Sequence, residues 1–183
     1  NQRRTISANT VKTFDYYQGL GSTISEATES IRKTLGIVGM GQIGQLVARK
    51  AVACDMRIIY NKRSPLSPAE EFVLGSAEFR TLDDLFTESD FVALTPALTK
   101  ETEGLINEQL ISLMKPSAIL INTARGDLVD EPALIAALKD RHISHAALDV
   151  FAEEPLSCAH PLTHLDNVTL TAHAGFMTRE ASV

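Results

Sequence analysis

Gly39-Met40-Gly41-Gln42-Ile43-Gly44 follows the apolar run Leu35-Gly36-Ile37-Val38 and opens a stretch of helical spacing that starts at Gln42. A bare G-x-G-x-x-G string says little, but between a strand and a helix it permits few folds. Gly39 suits a tight turn. Gly41 lets backbone approach a pyrophosphate, and Gly44 lets helix and strand pack closely. The N–H groups at the helix start, from Gln42 and Ile43 onward, then face the anion. The expectation is a Rossmann-type dinucleotide-binding domain, an α/β fold with a doubly wound parallel sheet. The competing reading is a glycine-rich βα turn that holds no ligand.

The rest of the chain agrees with such a sheet. Short β-branched runs at 35–38, 57–60, 91–94, 118–122, 146–150 and 168–171 read as strands. They are continuous apolar runs, as expected of strands covered on both faces. Helical patterns lie between them at 42–53, 81–86, 107–114 and 131–139. On the first of these Ile43, Leu46, Val47 and Val52 form the apolar side. Thr81 is a fitting N-cap for the second, and the third stops before Pro116. Alternating strands and helices are the signature of βαβ units. Residues 1–33 differ, with nine Ser/Thr, two Gly, no Pro and no clear period. They are expected to be an irregular lead-in, a remnant of a linker or of another domain, with the dinucleotide-binding domain spanning 34–183.

Composition narrows the function classes. The 183 residues suit one domain with at most a short appendage. A net charge of −6 leaves no basic stripe to neutralise a phosphate backbone, so nucleic acid is not an expected partner. No apolar run approaches the roughly 18 residues that span a bilayer. The two cysteines, Cys54 and Cys158, form no CxxC, which fits a reducing, cytoplasmic setting. The chain starts at Asn1 rather than Met, and its Arg- and Ser/Thr-rich start faintly resembles a transit peptide until Asp15, Glu26 and Glu29 break the pattern. A fragment of a longer chain is the expectation. Cys158, His160 and His164 form a short cluster, as do His142 and His145, but neither has a familiar zinc spacing, so no metal is expected.

The end of the second strand speaks to the nucleotide. NAD sites usually place Asp or Glu there, about 20 residues past the glycines, to hold the ribose 2′-hydroxyl. Here the strand runs into Asn61-Lys62-Arg63-Ser64, with no carboxylate. Asp55 stands at the wrong end of the strand. Cations beside amide and hydroxyl groups suit a 2′-phosphate, so NADP is expected in preference to NAD. The alternative is a solvated basic turn that accepts both.

Five ordered motifs carry a family resemblance. Thr34 to Gly44 is the first, and Thr99-Lys100-Glu101-Thr102 the second. Leu120-Ile121-Asn122-Thr123-Ala124-Arg125-Gly126 follows, running on to Val129-Asp130-Glu131. Leu148-Asp149-Val150-Phe151-Ala152-Glu153-Glu154-Pro155 and Asn167-Val168-Thr169-Leu170-Thr171-Ala172-His173 complete the set. From Thr34 to Val183 the chain resembles the D-isomer-specific 2-hydroxyacid dehydrogenases, glyoxylate and hydroxypyruvate reductases among them. The resemblance implies catalytic roles for Arg125, Glu154 and His173, and places Asp149 facing the nicotinamide ring. It implies cofactor contacts from Thr95, Pro96, Thr102, Thr123, Ala124 and Gly175 as well. Ala97 and Ala172 stand where the family commonly has Pro, and Thr95 where His is common. The substrate domain of the family is built from both chain ends and is expected to be largely missing here.

The chemistry of the groups agrees. Reducing a 2-keto acid needs a proton donor near the carbonyl oxygen, a cation for the carboxylate, and a group that tunes the donor. An imidazole, whose ordinary pKa is about 6.5, suits the first role, so His173 is the candidate. Arg125 offers a planar fork to a carboxylate. A neighbouring carboxylate orients the ring and favours its charged form, which Glu154 would do, with Glu153 the competing assignment. The expected function is hydride transfer between NAD(P)H and a small 2-keto acid. The expected partners are that acid and, as the one assembly considered, a second copy held through the cofactor domain. The alternative is a catalytically silent dinucleotide-binding or regulatory module, as in the transcriptional corepressors related to this family.

Overall fold

A computed structural model describes residues 33–175 of the chain. The expected lead-in therefore lies, Lys33 apart, outside the described residues. Seven strands make one sheet: β1 (Thr34–Val38), β2 (Arg57–Asn61), β3 (Glu78–Phe79), β4 (Phe91–Leu94), β5 (Ile119–Asn122), β6 (His145–Leu148) and β7 (Val168–Leu170). Every pairing is parallel and the order is β3-β2-β1-β4-β5-β6-β7. The chain thus winds outward from β1 to β3, returns, and winds outward again from β4 to β7. That reversal between β1 and β4 is where open α/β sheets bind ligands.

Five helices make the crossovers: α1 (Gln42–Val52), α2 (Pro68–Val73), α3 (Leu82–Glu88), α4 (Glu108–Ser112) and α5 (Glu131–Lys139). Along β1, β2 and β4, successive residues point to opposite faces, as strand geometry requires. Ile37, Ile58, Tyr60 and Ala93 pack with Ala48 and Ala51 of α1 on one face. Val38, Ile59, Val92 and Leu94 pack with Leu85 of α3, Leu110 of α4 and Leu134 of α5 on the other. All five residues of β1 are buried, which explains its unbroken apolar run.

The structure departs from the sequence expectations in four places. The α1 face differs in part: Val47 and Val52 pack on the core as expected, but Gly44, Ala48 and Ala51 form its buried side while Ile43 and Leu46 are 64% and 55% exposed. Small residues let the helix sit close to the sheet, and the larger side chains are left on its flanks. β5 and β6 alternate, with Leu120, Asn122, Ala146 and Leu148 buried and Ile119, Ile121, His145 and Ala147 only half-buried. Among the described residues α3, α4 and α5 all feed one core cluster, on a single face of the sheet. β3 and α2 were not expected at all. β3 is a two-residue edge strand led by a glutamate. α2 starts at a capping box, in which the Ser67 hydroxyl accepts from the Glu70 N–H and Pro68 takes the first position. No helix of the described residues is long and apolar enough to cross a membrane.

Candidate active site

Parallel strands deliver all their C-terminal ends to one edge of the sheet, and the sequence motifs sit on that edge. Val38 pairs with Asn61 on one side and Leu94 on the other, so the turns after β1, β2 and β4 are level. The Gly39 N–H donates to the Asn61 carbonyl at 2.9 Å. The Thr95 hydroxyl donates to the Gly39 carbonyl at 2.6 Å. Gly39 has φ +93°, and a Cβ there would lie 2.6 Å from the Pro96 nitrogen. The turn therefore needs glycine for its conformation and again for the proximity of Pro96. A Cβ on Gly44 would fall 2.5 Å from the Gly39 carbonyl oxygen, so the helix closes on its own turn.

Gly41 is different. Its backbone is extended, and a Cβ built there would meet nothing within 4 Å. It is the N-cap of α1, supplies no capping side chain, and no acidic residue stands in the first turn. Gln42 and Ile43 are exposed beside it. An open, uncapped helix start without carboxylates fits the pyrophosphate of a dinucleotide, whose oxygens would take the leading N–H groups.

The basic turn after β2 is divided. Asn61 gives a side-chain N–H to the Arg80 carbonyl at 2.7 Å, which ties β2 to the turn after β3. Lys62 is half-buried and Arg63 exposed. Arg63 lies within electrostatic range of Glu101, whose carboxyl is held below its ordinary range first by the Thr99 hydroxyl and weakly by Arg63. The Thr102 hydroxyl donates to the Ala97 carbonyl at 2.7 Å and accepts from the Thr99 N–H at 2.8 Å. Thr102 thus builds its own loop, the one that faces the basic turn.

On the other half of the sheet, β5 runs into Thr123, Ala124 and Arg125. Asn122, 1% exposed, closes this turn by donating to the Arg125 carbonyl at 2.8 Å and accepting from the Ala124 N–H at 3.1 Å. Asn122 belongs to the third motif, yet nothing in that motif announces this hydrogen-bonding task. The Arg125 side chain is exposed, with one guanidinium N–H on the Ala124 carbonyl at 2.6 Å. A Cβ on Gly126 would lie 2.0 Å from the carbonyl carbon of Phe151, so the backbones of the Arg125 and Glu154 loops touch.

Glu154 and His173, 19 residues apart in sequence, meet at 2.7 Å through Oε2 and Nδ1. The other Glu154 oxygen accepts from the Phe151 N–H at 3.0 Å. These bonds, the one from His173 first, hold the Glu154 carboxyl below its ordinary range. Between the two glutamates, Glu154 is the one the fold directs to the histidine. His173 has a left-handed backbone, φ +50°. Buried Asp149 holds that unusual turn by accepting from the Thr171 hydroxyl and from the Ala174 and Gly175 N–H groups, both at 2.9 Å. Burial pushes the Asp149 carboxyl up, but these donors outweigh it, and the group lies below its ordinary range. Both Asp149 oxygens are thus spent on the His173 loop.

The edge of the sheet therefore carries an open glycine turn and uncapped helix start after β1, a basic turn after β2, and a His–Glu pair with a neighbouring arginine loop at β5 to β7. The sequence matches the D-isomer specific 2-hydroxyacid dehydrogenase, NAD binding domain, over residues 8–175. The chain belongs to this family. The match reaches well upstream of Thr34, where the motifs begin. Among relatives of this dehydrogenase domain, the glyoxylate reductase of Pyrococcus furiosus is 54% identical over 149 residues, 81% of this chain and 44% of that protein. The holo form of Rhodotorula graminis D-mandelate dehydrogenase superposes with a TM-score of 0.77 at 38% identity, over 81% of this chain and 43% of that one. The NAD-complexed D-isomer specific 2-hydroxyacid dehydrogenase of Lactobacillus delbrueckii ssp. bulgaricus gives 0.74 at 34% identity, over 81% and 48%. The dehydrogenase domain in hand thus spans less than half the length of these relatives. A nicotinamide dinucleotide is the cofactor of the family domain it matches.

Proposed function

We propose that this chain is the cofactor-binding part of a reductase of small 2-keto acids, with glyoxylate and hydroxypyruvate the first substrates to try. The observation that carries the reading is the 2.7 Å contact between His173 and Glu154 beside the Arg125 loop. When bound, the reduced nicotinamide supplies the hydride. Arg125 takes the carboxylate of the keto acid through its planar fork. His173 gives a proton to the carbonyl oxygen, and accepts it back in the oxidation direction. With Nδ1 committed to Glu154, that proton moves at Nε2. Glu154 fixes the ring and its tautomer, and Asp149 fixes the loop that carries it.

NADP is preferred over NAD in this reading, supported by the lack of a carboxylate at the end of β2 and by Lys62 and Arg63 there. A homodimer through the cofactor domain is supported by the exposure of Ile43 and Leu46 on α1. A cytoplasmic setting is supported by the two cysteines, both free. The chain alone is expected to turn over poorly, since closing a second wall over the site excludes water and positions the acid.

The second reading is a catalytically silent binding or regulatory module of the same fold. NADPH oxidation with each keto acid, by this chain and by longer forms that include it, separates the two. The enzyme reading expects turnover in a longer form, cut about 10²–10⁴-fold by His173→Gln. Tight nucleotide binding with no keto-acid-dependent oxidation in any form would leave the silent module.

A further inference from the structure

A second histidine–glutamate pair stands behind the first. His160 Nε2 lies 3.1 Å from Glu131 Oε1, and both side chains are largely shielded, 23% and 19% exposed. His160 also caps the 3-10 turn Pro161–His164, its Nδ1 accepting from the Leu162 N–H at 3.4 Å. With Nδ1 turned to the Leu162 N–H, it is Nε2 that faces the Glu131 carboxylate.

The two partners belong to the two loops of the candidate active site. Glu131 is the first residue of α5, directly after the turn that carries Arg125. That turn is already fastened on its far side, where the Ile106 N–H donates to the Leu128 carbonyl and the Ile106 carbonyl accepts from the Asp130 N–H, both at 2.9 Å. His160 ends the segment that begins with Phe151 and carries Glu154. Within that segment Ala152, Glu153, Glu154, Pro155, Ser157, Cys158 and Ala159 are exposed, and Leu156 only partly packs on the core. At its upstream end buried Phe151 rests on Gly126. At its downstream end the Thr163 hydroxyl donates to the Cys158 carbonyl at 3.0 Å, and the His160 ring makes the side-chain contact to Glu131.

We propose that His160 and Glu131 are a positioning pair, which clamps the Glu154 segment to the Arg125 turn and so keeps Glu154 at hydrogen-bond distance from His173. This rests on the reading of Glu154 and His173 as the acid–base pair. The physical logic is that a short, exposed segment pinned at both ends samples fewer positions, and an acid–base pair tolerates little misplacement.

The test reads Glu154 itself, by carboxyl NMR titration of the 183-residue chain. In the wild type Glu154 titrates low because of His173 and the Phe151 N–H, with Asp149 opposing from the other side. His160→Asn keeps an acceptor for the Leu162 N–H, since Asn is a good N-cap, but is too short to reach Glu131. Its expected effect is a rise of the Glu154 midpoint toward the ordinary carboxylate value. Glu131→Gln keeps a side-chain oxygen within reach of His160 Nε2, and is expected to leave the midpoint where it was. Thermal melting is run beside each variant. A melting loss in His160→Asn with the Glu154 midpoint unmoved would mean a merely structural bond and overturn the proposal. So would Glu131→Gln moving the midpoint as far as His160→Asn does. If His160→Asn does not fold, Glu131→Ala is read by the same criterion. The readout needs neither cofactor nor turnover, so a wild type that fails to reduce glyoxylate bears on the acid–base reading and not on the clamp.

Discussion

Gly41→Val separates binding from folding. The position is extended, at φ −85° and ψ −159°, and open for 4 Å around a built Cβ. Valine at an N-cap costs about 0.5–1 kcal/mol relative to good cap residues. The stiffer unfolded chain returns about 0.4–1 kcal/mol. The melting temperature of the free chain should therefore move by no more than about 3 °C. Binding is another matter. A Cβ stands about 1.5 Å out from the backbone, in the space a pyrophosphate needs to reach N–H groups at about 2.9 Å. Losing two charge-assisted bonds at about 1.5–3 kcal/mol each weakens the nucleotide by about 10²–10⁴-fold. Gly39→Ala is the counter-experiment. Its left-handed φ and a backbone atom 2.6 Å from the new Cβ leave no room to relax, so it should lose melting temperature outright. Calorimetric NADPH titration and thermal melting of both variants decide. Gly41→Val binding within about threefold of wild type, or melting as low as Gly39→Ala, would refute the cradle.

Asp149→Asn turns one acceptor into a donor facing the Gly175 or Ala174 N–H, and should cost about 1.5–3 kcal/mol, seen as a fall of about 3–10 °C on melting. Glu78, held at about 2 by Arg57 first and also by Arg80, ties β2 to β3. Because its folded value lies below its unfolded one, its contribution is full above about pH 4.5 and fades as pH falls toward 2. Half-exposed as it is, Glu78→Gln should cost under about 1 kcal/mol at neutral pH, with wild type and variant melting alike near pH 2. Lys62→Ala with Arg63→Ala should remove a NADPH-over-NADH preference of about ten- to a hundredfold, at about 1 kcal/mol per exposed contact, and salt should erode the same preference in the wild type. Equal NADPH and NADH affinities in the wild type would undo the NADP reading.

Six of the seven strands were legible because each is a run of apolar residues that a buried strand demands. β3 was not, because two residues at an edge carry no pattern. α2 did have a signal, Ser67 and Glu70 three apart with Pro68 between, although its apolar residues Phe72 and Val73 are exposed and form no core-facing stripe. The Ile43–Leu46 stripe misled for the converse reason: on α1 the small residues mark the inner face. At the site, the motifs named Glu154 and His173, but Glu153 satisfied the same spacing. Only the return of the 171–175 loop, folded over Asp149, chooses between the two glutamates. Glu131 and His160 are 29 residues apart and share no motif, so nothing local could announce their meeting.

The reversal of winding between β1 and β4 has a consequence for how such a domain can change. The basic turn that would meet the adenosine ribose hangs from the strands on one side of that seam, and the His–Glu pair hangs from those on the other. The halves share the sheet and the turn at Gly39, and little else along this edge. A lineage could exchange one nucleotide for another by rewriting the loop after β2, with the histidine loop untouched. It could equally retire the proton chemistry and keep the grip. Two independently adjustable ends on one rigid plate let each be altered without renegotiating the other.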